Sequence, residues 1–393
     1  VKTEELWLSI EKAIDGKASE AIALSDALAA APEVSGQERE ASKAHVTFLR
    51  SCGYDVTHPF MDIETAFCAR RGRAPRPRVA LLFEYDALPG IGHGCGHNVS
   101  GAMSGLAAAG LAAVADDLPG ELLLVGTPAE ETNGAKVTLA EKGFFDETDL
   151  ALMIHSSDRQ SYVGYRSLAM DALEFRFTGK PAHAAAEPWA GLNALNAVQL
   201  LFHAIDMLRQ HVRPETRMHG IIAEGGLAPN IVPERAVARF YFRAPRRSHL
   251  DGIIGQVQRC AEGAALATGT KVTWHNFEFS FDDMLKNDSA ETFMEGLFAD
   301  FGITTVPSPG RDGSSDMGNV SQRCPSLQPK LSIVDEAMAL HTHEFAQATT
   351  QPRAHEALVT GAKILARATL LFMADETLRQ AIRADFDRER QRP

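Results

Sequence analysis

"RVALLFEYDALPGIGHGCGHN", residues 78–98, is the stretch on which the reading of this chain turns. Residues 78–87 form a nearly continuous apolar run, as expected of a strand buried on both faces of a sheet. Polar chemistry then crowds in: Glu84, Asp86, His93, Cys95 and His97 stand among glycines and a proline. Two later stretches repeat the form. "ELLLVGTPAEE" (121–131) ends on Glu130 and Glu131, and "DLALMIHSSD" (149–158) carries His155 near its end. Helical patterns at 99–116 and 133–143 separate the three. This alternation predicts an α/β fold, a mostly parallel sheet with helices on both faces. Ligands of such sheets bind beyond the carboxyl ends of the strands, so three segments deliver ionisable residues to one edge.

Outward from that core, "SGQEREASKAHVTFLRSCG" reads as a helix opened by Ser35 and Glu38 in capping-box spacing and stopped at Gly53. The middle of the chain changes character. Strand patterns at 167–180, "TRMHGIIAEGG", "RAVARFYFRAP" and "KVTWHNFEFS" alternate with helical patterns at 193–212 and from "SHLDGIIG" onward. The order β-α-β-β-α-β is a ferredoxin-like split motif. It predicts an inserted domain at 165–276, with the sheet domain formed by 1–164 and 277–393. A long helix pattern (352–373) and an acidic, frayed tail are expected to close the chain.

Composition sets bounds. With 393 residues the chain exceeds one compact core, and 45% hydrophobic with 23% charged residues is ordinary for a globular protein. The net charge of -12 argues against nucleic acid as a partner; the basic stretch "RRGRAPRPR" (70–78) is broken by prolines and suits a solvated loop. The longest apolar run, "GAMSGLAAAGLAAVA" (101–115), is too short to span a bilayer, so no membrane partner is expected. Five scattered cysteines argue against a disulfide framework, and no signal peptide is visible in "VKTEELWLSIEKAIDG". A reducing, cytoplasmic location is the expectation.

The residue types at the sheet edge suit a divalent metal. Zinc takes His nitrogen, Cys sulfur and carboxylate oxygen, and a catalytic site keeps one position for water. The glycine of "CGH" lets Cys95 and His97 face one point. Of two adjacent glutamates, one binds metal more naturally while its neighbour accepts a proton. Other readings stay open at this point. Cys95 is compatible with a buried hydrophobe or a thiol nucleophile, Glu130 and Glu131 with a solvated helix start, and His155 with a core histidine.

The series "EYDALPGIGHGCGHN", "GTPAEE", "MIHSS", "GKPAHAAAEPWAGLNAL", "GGLAPNIVPERA", "GSSDMGNVS" and "HTHEF" resembles, in order and spacing, the aminoacylase/carboxypeptidase G family of zinc metallopeptidases. It looks most like the branch of aminoacylase-1-like dipeptidases and aminobenzoyl-glutamate hydrolases, over residues 20–370. The resemblance implies a zinc-peptidase-like domain with an inserted lid and dimerisation domain, hence a homodimer. It implies Cys95, His97, Glu131, His155 and His341 as metal ligands and Glu130 as general base. Asp86 supports the metal centre, and His183 reaches across the dimer to stabilise the oxyanion. Asn230 helps hold the substrate's carboxylate or scissile carbonyl; Arg239, Arg243 and Arg311 are candidates to clamp a carboxylate. His93 and His343 compete for places at the metal. Where many members carry His-x-Asp, this chain has Glu84-Tyr85-Asp86, and the Cys-Gly-His motif is read as replacing the lost histidine.

The function implied is hydrolysis of the amide bond of a small N-acyl amino acid or dipeptide. One or two divalent ions are implied, zinc first, with manganese or cobalt open. Hydrolytic deamination with the same water and a catalytically inactive, metal-stabilised binding or regulatory subunit are the alternatives.

Overall fold

A computed structural model describes residues 2–310 and 313–392. The strands are β1 (Val56–Thr57), β2 (Phe67–Gly72), β3 (Arg78–Phe83), β4 (Glu121–Gly126), β5 (Leu150–Leu152), β6 (His155–Ser157), β7 (Ala169–Thr178), β8 (Arg217–Glu224), β9 (Arg235–Ala244), β10 (Lys271–Asn276), β11 (Ser326–Leu327) and β12 (Lys330–Ser332). The helices are α1 (Lys2–Ala30), α2 (Arg39–Ser51), α3 (His97–Ala112), α4 (Ala135–Glu141), α5 (Ala194–Leu208), α6 (Arg247–Thr268), α7 (Asp288–Asp300), α8 (Met317–Ser321), α9 (His343–Ala348), α10 (Pro352–Ala374) and α11 (Glu376–Arg390). Two compact units result: residues up to Arg166 with Met284–Arg392, and Ser167–Asp283.

The first unit is built on a six-stranded sheet in the order β1-β2-β4-β3-β5-β11. The β4-β3-β5-β11 block is parallel, and β2 and β1 add an antiparallel edge. Every residue of β3 is buried. Val79, Leu81 and Phe83 join one core with Ile14 of α1, Leu106 of α3 and Leu365 of α10. Ala80 and Leu82 join a second core with Leu139 of α4 and Val320 of α8. That two-sided burial is what the unbroken apolar run encodes, since successive side chains of a strand point to opposite faces. Helix α10 is long and apolar enough to cross a membrane, but 67% of that stretch is buried, as in a core helix.

Three expectations need correction. The stretch 149–158 is not one strand: β5 stays in the main sheet, while β6, carrying His155, pairs with β12 in a separate parallel ladder. The tail is not frayed. The Asp375 carboxylate accepts from the Leu378 N–H and caps α11, whose Ile382 and Phe386 are buried. Ser35 and Glu38 do not form a capping box; α2 begins at Arg39 with no side-chain cap, and both side chains turn elsewhere.

The second unit is the split β-α-β-β-α-β motif. Its sheet is antiparallel throughout, in the order β10-β7-β9-β8. Alternate residues Leu173, Phe175, Phe177, Phe240 and Phe242 form its core with Leu201 of α5 and Val257 of α6. Asn193 caps α5 by accepting from the Asn196 N–H. Strand β8 is an edge strand, and Ile221 and Ile222 on it are 64% and 45% exposed.

Candidate metal centre

Because β4, β3 and β5 run parallel, their carboxyl ends share one edge, and the chain beyond each end supplies the site. Beyond β3, Glu84 and Asp86 are buried. Beyond β4, the chain turns at Ala129, whose φ of 64° lies in the left-handed region that L-residues rarely adopt. Glu38 holds that turn: its Oε1 accepts from the Ala129 and Gly36 N–H groups at 2.8 Å each, and its Oε2 accepts from Thr65. Burial, with Asp86 nearby, pushes the Glu38 carboxyl up to about 7. Ser35 donates to Asp86 Oδ2 at 2.7 Å. The two residues whose spacing suggested a helix cap instead brace the catalytic edge.

Asp86 also accepts from the Glu131 N–H at 3.0 Å and, through Oδ1, from His97 Nδ1 at 3.0 Å. Burial opposes its charge, yet His97 and these donors hold Asp86 well below the usual carboxylate range. A carboxylate and a carbonyl can only accept, so Nδ1 of His97 carries the proton and Nε2 faces the site. His155 is fixed alike, with Nδ1 donating to the Ser156 carbonyl at 2.6 Å. Gly96 precedes His97 at φ 73°, and a Cβ there would stand 2.5 Å from Ser156 Cβ. Only glycine fits between Cys95 and His97.

The ligand-type atoms gather in overlapping groups. Glu84, His97 and His155 form one, Cys95, Glu131 and His341 a second, and His97, Glu130 and Glu131 a third; within each, the atoms lie within 4.8 Å of one another. His97 Nε2, Glu84 Oε2 and Glu131 Oε1 are buried atoms with no hydrogen-bond partner among the described residues. Orphaned lone-pair atoms of N and O type beside a thiol are the donor set of a divalent ion, and they fit one. Burial and Glu131 raise the Cys95 thiol well above its ordinary range, so it keeps its proton until a cation arrives. That is the wrong setting for a free thiol nucleophile. Burial, Glu84 and Glu131 likewise raise Glu130 well above an ordinary glutamate, as suits a proton carrier.

Of the competing histidines, His341 joins Cys95 and Glu131, with Nε2 3.9 Å from Glu131 Oε1. It too has positive φ, 62°, and its N–H donates to the Gly94 carbonyl. His343 begins α9 and lines a separate cavity of about 590 Å³ with His93. In the second unit, His183 and Asn230 are neighbours: the Ala184 N–H donates to the Asn230 carbonyl, and His183 bridges Ile231. His183 Nδ1 accepts from the Ala185 and Ala186 N–H groups. Arg239 is engaged by Glu174 at 2.6 Å, and Arg243 lies 5.9 Å from the centre of the Tyr241 ring. Arg311 lies outside the described residues.

Two lysines escaped sequence reasoning. Lys136 is fully buried and donates to Glu84 Oε1 and Asp316 Oδ1 at 2.7 Å each. Lys330, also buried, lies over Tyr165 at 4.4 Å, near enough to Glu84 and Glu130 to feel their charge. The available signal was a lone lysine in an apolar stretch, "AKVTLA" for Lys136. A buried ammonium demands partners, and buried acids were already in view.

Known proteins share the sequence and fold of this chain. A model of the peptidase dimerisation domain matches residues 168–268. The Xaa-Arg dipeptidase of Homo sapiens is 34% identical, covering 98% of this chain and 92% of its own length. A p-aminobenzoyl-glutamate hydrolase chain of Escherichia coli is 31% identical over 76% of this chain and 66% of its own. Two solved structures share the fold at 19% and 17% identity. A Bacillus subtilis dinuclear metal-binding peptidase of the M20 family has a TM-score of 0.68, covering 92% of this chain and 99% of that one. A Klebsiella pneumoniae aminobenzoyl-glutamate utilization protein has a TM-score of 0.73, covering 92% and 98%. The chain belongs to the M20 peptidases, the aminoacylase/carboxypeptidase G family that its motifs resemble, and it is a hydrolytic enzyme.

Proposed function

We propose that the chain hydrolyses the amide bond of a small dipeptide or N-acyl amino acid, with Glu130 as general base at a divalent metal centre. The observation that carries this reading is the set of buried, partnerless atoms His97 Nε2, Glu84 Oε2 and Glu131 Oε1 beside Glu130. His97, His155, Cys95, Glu131 and His341 would hold the metal, and the thiol and imidazole donors favour zinc over manganese or cobalt. Such an ion, when bound, lowers the pKa of water and polarises a carbonyl. Glu130, buried and raised above an ordinary glutamate by burial and by Glu84, accepts the water's proton in its ionised form and returns it to the leaving amine. Asp86 keeps His97 in one tautomer and fixes the Glu131 backbone. His183 serves the oxyanion, and Asn230, Arg243 or Arg311 the substrate's polar groups, as the family resemblance suggests.

The names of the two curated relatives support a substrate that is a dipeptide or an acyl amino acid. Dipeptides ending in arginine therefore head the test panel, followed by aminobenzoyl-glutamate. The expected result is amino acid release by metal-loaded wild type and none, about a thousandfold less or lower, by Glu130→Ala that retains its metal. Equal release by both proteins would remove Glu130 from the chemistry.

The edge strand β8, with exposed Ile221 and Ile222, and the match to a dimerisation domain support a homodimer joined through the second unit. Ile221→Arg is expected to halve the mass seen by sedimentation equilibrium; a wild-type monomer would end that reading. All five cysteines are free thiols, which supports a reducing, cytoplasmic compartment.

A further inference from the structure

Glu84 takes the place of the histidine that many family members carry in His-x-Asp. It is fully buried, and its two oxygens are treated differently. Oε1 accepts from the Lys136 ammonium at 2.7 Å. Lys136 is held in turn by Asp316: its Nζ donates to Oδ1 at 2.7 Å and its backbone N–H to Oδ2 at 3.2 Å. Gly134 lets this happen, since a Cβ there would stand 2.2 Å from Asp316 Oδ2. The "GSSDMGNVS" stretch thus contributes Asp316 as an anchor. Oε2 of Glu84 has no hydrogen-bond partner among the described residues, yet it lies 3.4 Å from His97 Nε2 and 3.9 Å from His155 Nε2.

Both histidines have spent Nδ1–H on other acceptors, so three lone-pair atoms converge: one carboxylate oxygen and two Nε2. Ligands about 2.0–2.1 Å from a tetrahedral zinc stand roughly 3.3 Å apart; the His97 separation of 3.4 Å matches that edge, and the His155 separation of 3.9 Å is longer and would close on binding. We propose that Glu84 is a ligand of the inner metal position, bound through Oε2 alone with His97 and His155, and that the Lys136–Asp316 pair enforces this single-oxygen pose. The ammonium binds two members, Glu84 and Asp316, of a further cluster of metal-ligand type, Glu84, Glu130 and Asp316. Lys136 is a resident cation that claims those acids, so the free oxygen faces the imidazoles. The rival arrangement is a doubly protonated His97 bridging Asp86 and Glu84, which would leave His97 no lone pair for a metal.

The inference rests on the hydrolase reading, and its test separates the two. Full-length wild type, Glu84→Gln and Glu84→Asp are compared by metal content, by competition with a chromophoric chelator, and by the visible spectrum after cobalt(II) substitution. The expected result for Glu84→Gln is a loss of at least about tenfold in affinity for one ion. Its cobalt ligand-field bands shift, while the thiolate charge-transfer band from Cys95 survives at saturation. Glu84→Asp keeps the charge but withdraws the oxygen, and is expected to fall between the two. A folded Glu84→Gln with wild-type affinity and spectrum overturns the assignment. If Glu84→Gln does not fold, wild-type affinity and spectrum in Glu84→Asp overturn it instead. Wild type that takes up no divalent metal would sink the hydrolase reading itself, whatever Glu84 does.

Discussion

The two halves of the metal centre are built to different standards. The inner half, Glu84, His97 and His155, is buried throughout, and each of its side chains is fixed by a partner of its own: Lys136, Asp86 and the Ser156 carbonyl. The outer half, Cys95, Glu131 and His341, is looser. The His341 side chain is 56% exposed, and among the described residues no partner other than Glu131 at 3.9 Å holds it in the site. Its order comes from backbone: the positive φ of His341 and of Ala129, each secured by one hydrogen bond from its N–H. Side chains locked by packing and hydrogen bonds hold a ligand geometry without ordering cost at binding, whereas an exposed ligand pays that cost each time. Under the two-ion proposal, the inner position is expected to hold its ion more firmly than the outer one.

The comparison breaks most visibly at Lys136. Lys136→Met removes the cation between two fully buried carboxylates, Glu84 and Asp316. Leaving a buried charge unpaired costs on the order of 3–5 kcal/mol, so the midpoint of urea unfolding is expected to fall sharply. A change below about 1 kcal/mol would mean that the pair is not the anchor of the inner half.

Next in size is the order in which metal leaves. A weak chelator titrated into metal-loaded protein is expected to empty the outer position first. His341→Ala is expected to lower outer-site affinity by about ten- to a hundredfold and to leave the inner ion in place, as mass spectrometry of the metal content will read. His155→Ala is expected to lose the inner ion. Loss of both ions together in either variant would erase the distinction between halves.

What was legible in the sequence follows the same division. Strand ends, the Cys-Gly-His motif, the paired glutamates and His155 are local patterns, and the parallel sheet brings them together by a general rule. The second unit was equally plain, because alternation in β7 and β9 and the two helices between the strands encode its core. The supports were not legible. Lys136 meets Asp316 across 180 positions and Glu84 across 52, and Glu38 meets Ala129 across 91. No spacing rule reaches that far. Ser35 and Glu38 were misread because a local rule, the capping box, fitted them, while tertiary partners compete for the same oxygens. The split of 149–158 into β5 and β6 also lay beyond pattern reading, since both pieces are buried and only the change of partner strand divides them.

The smallest effects sharpen the outer half, through Glu38. Glu38→Ala strands the buried Ala129 N–H and loosens the turn that carries Glu130 and Glu131, at roughly 1–3 kcal/mol in stability. Glu38→Gln should behave otherwise. Its amide oxygen can accept from Gly36 and Ala129 as Oε1 does now, and its NH₂ can donate to the Thr65 hydroxyl. The two variants also differ in pH dependence. The folded Glu38 carboxyl is raised to about 7 by burial and by Asp86, above the ordinary value near 4.3 that it takes unfolded. Between those values the folded state holds the extra proton, so the stability this group contributes is present below about 4.3 and is lost as pH rises through 7. Urea unfolding of metal-free wild type is therefore expected to show stability declining from pH 5 to pH 8, after allowance for the other groups. In Glu38→Gln that component of the slope is absent, and the variant gains on wild type as pH rises. If the wild-type and Gln curves stay parallel across that range, Glu38 is charged in the fold, and the turn at Ala129 is held by an ionised carboxylate instead of a neutral acid.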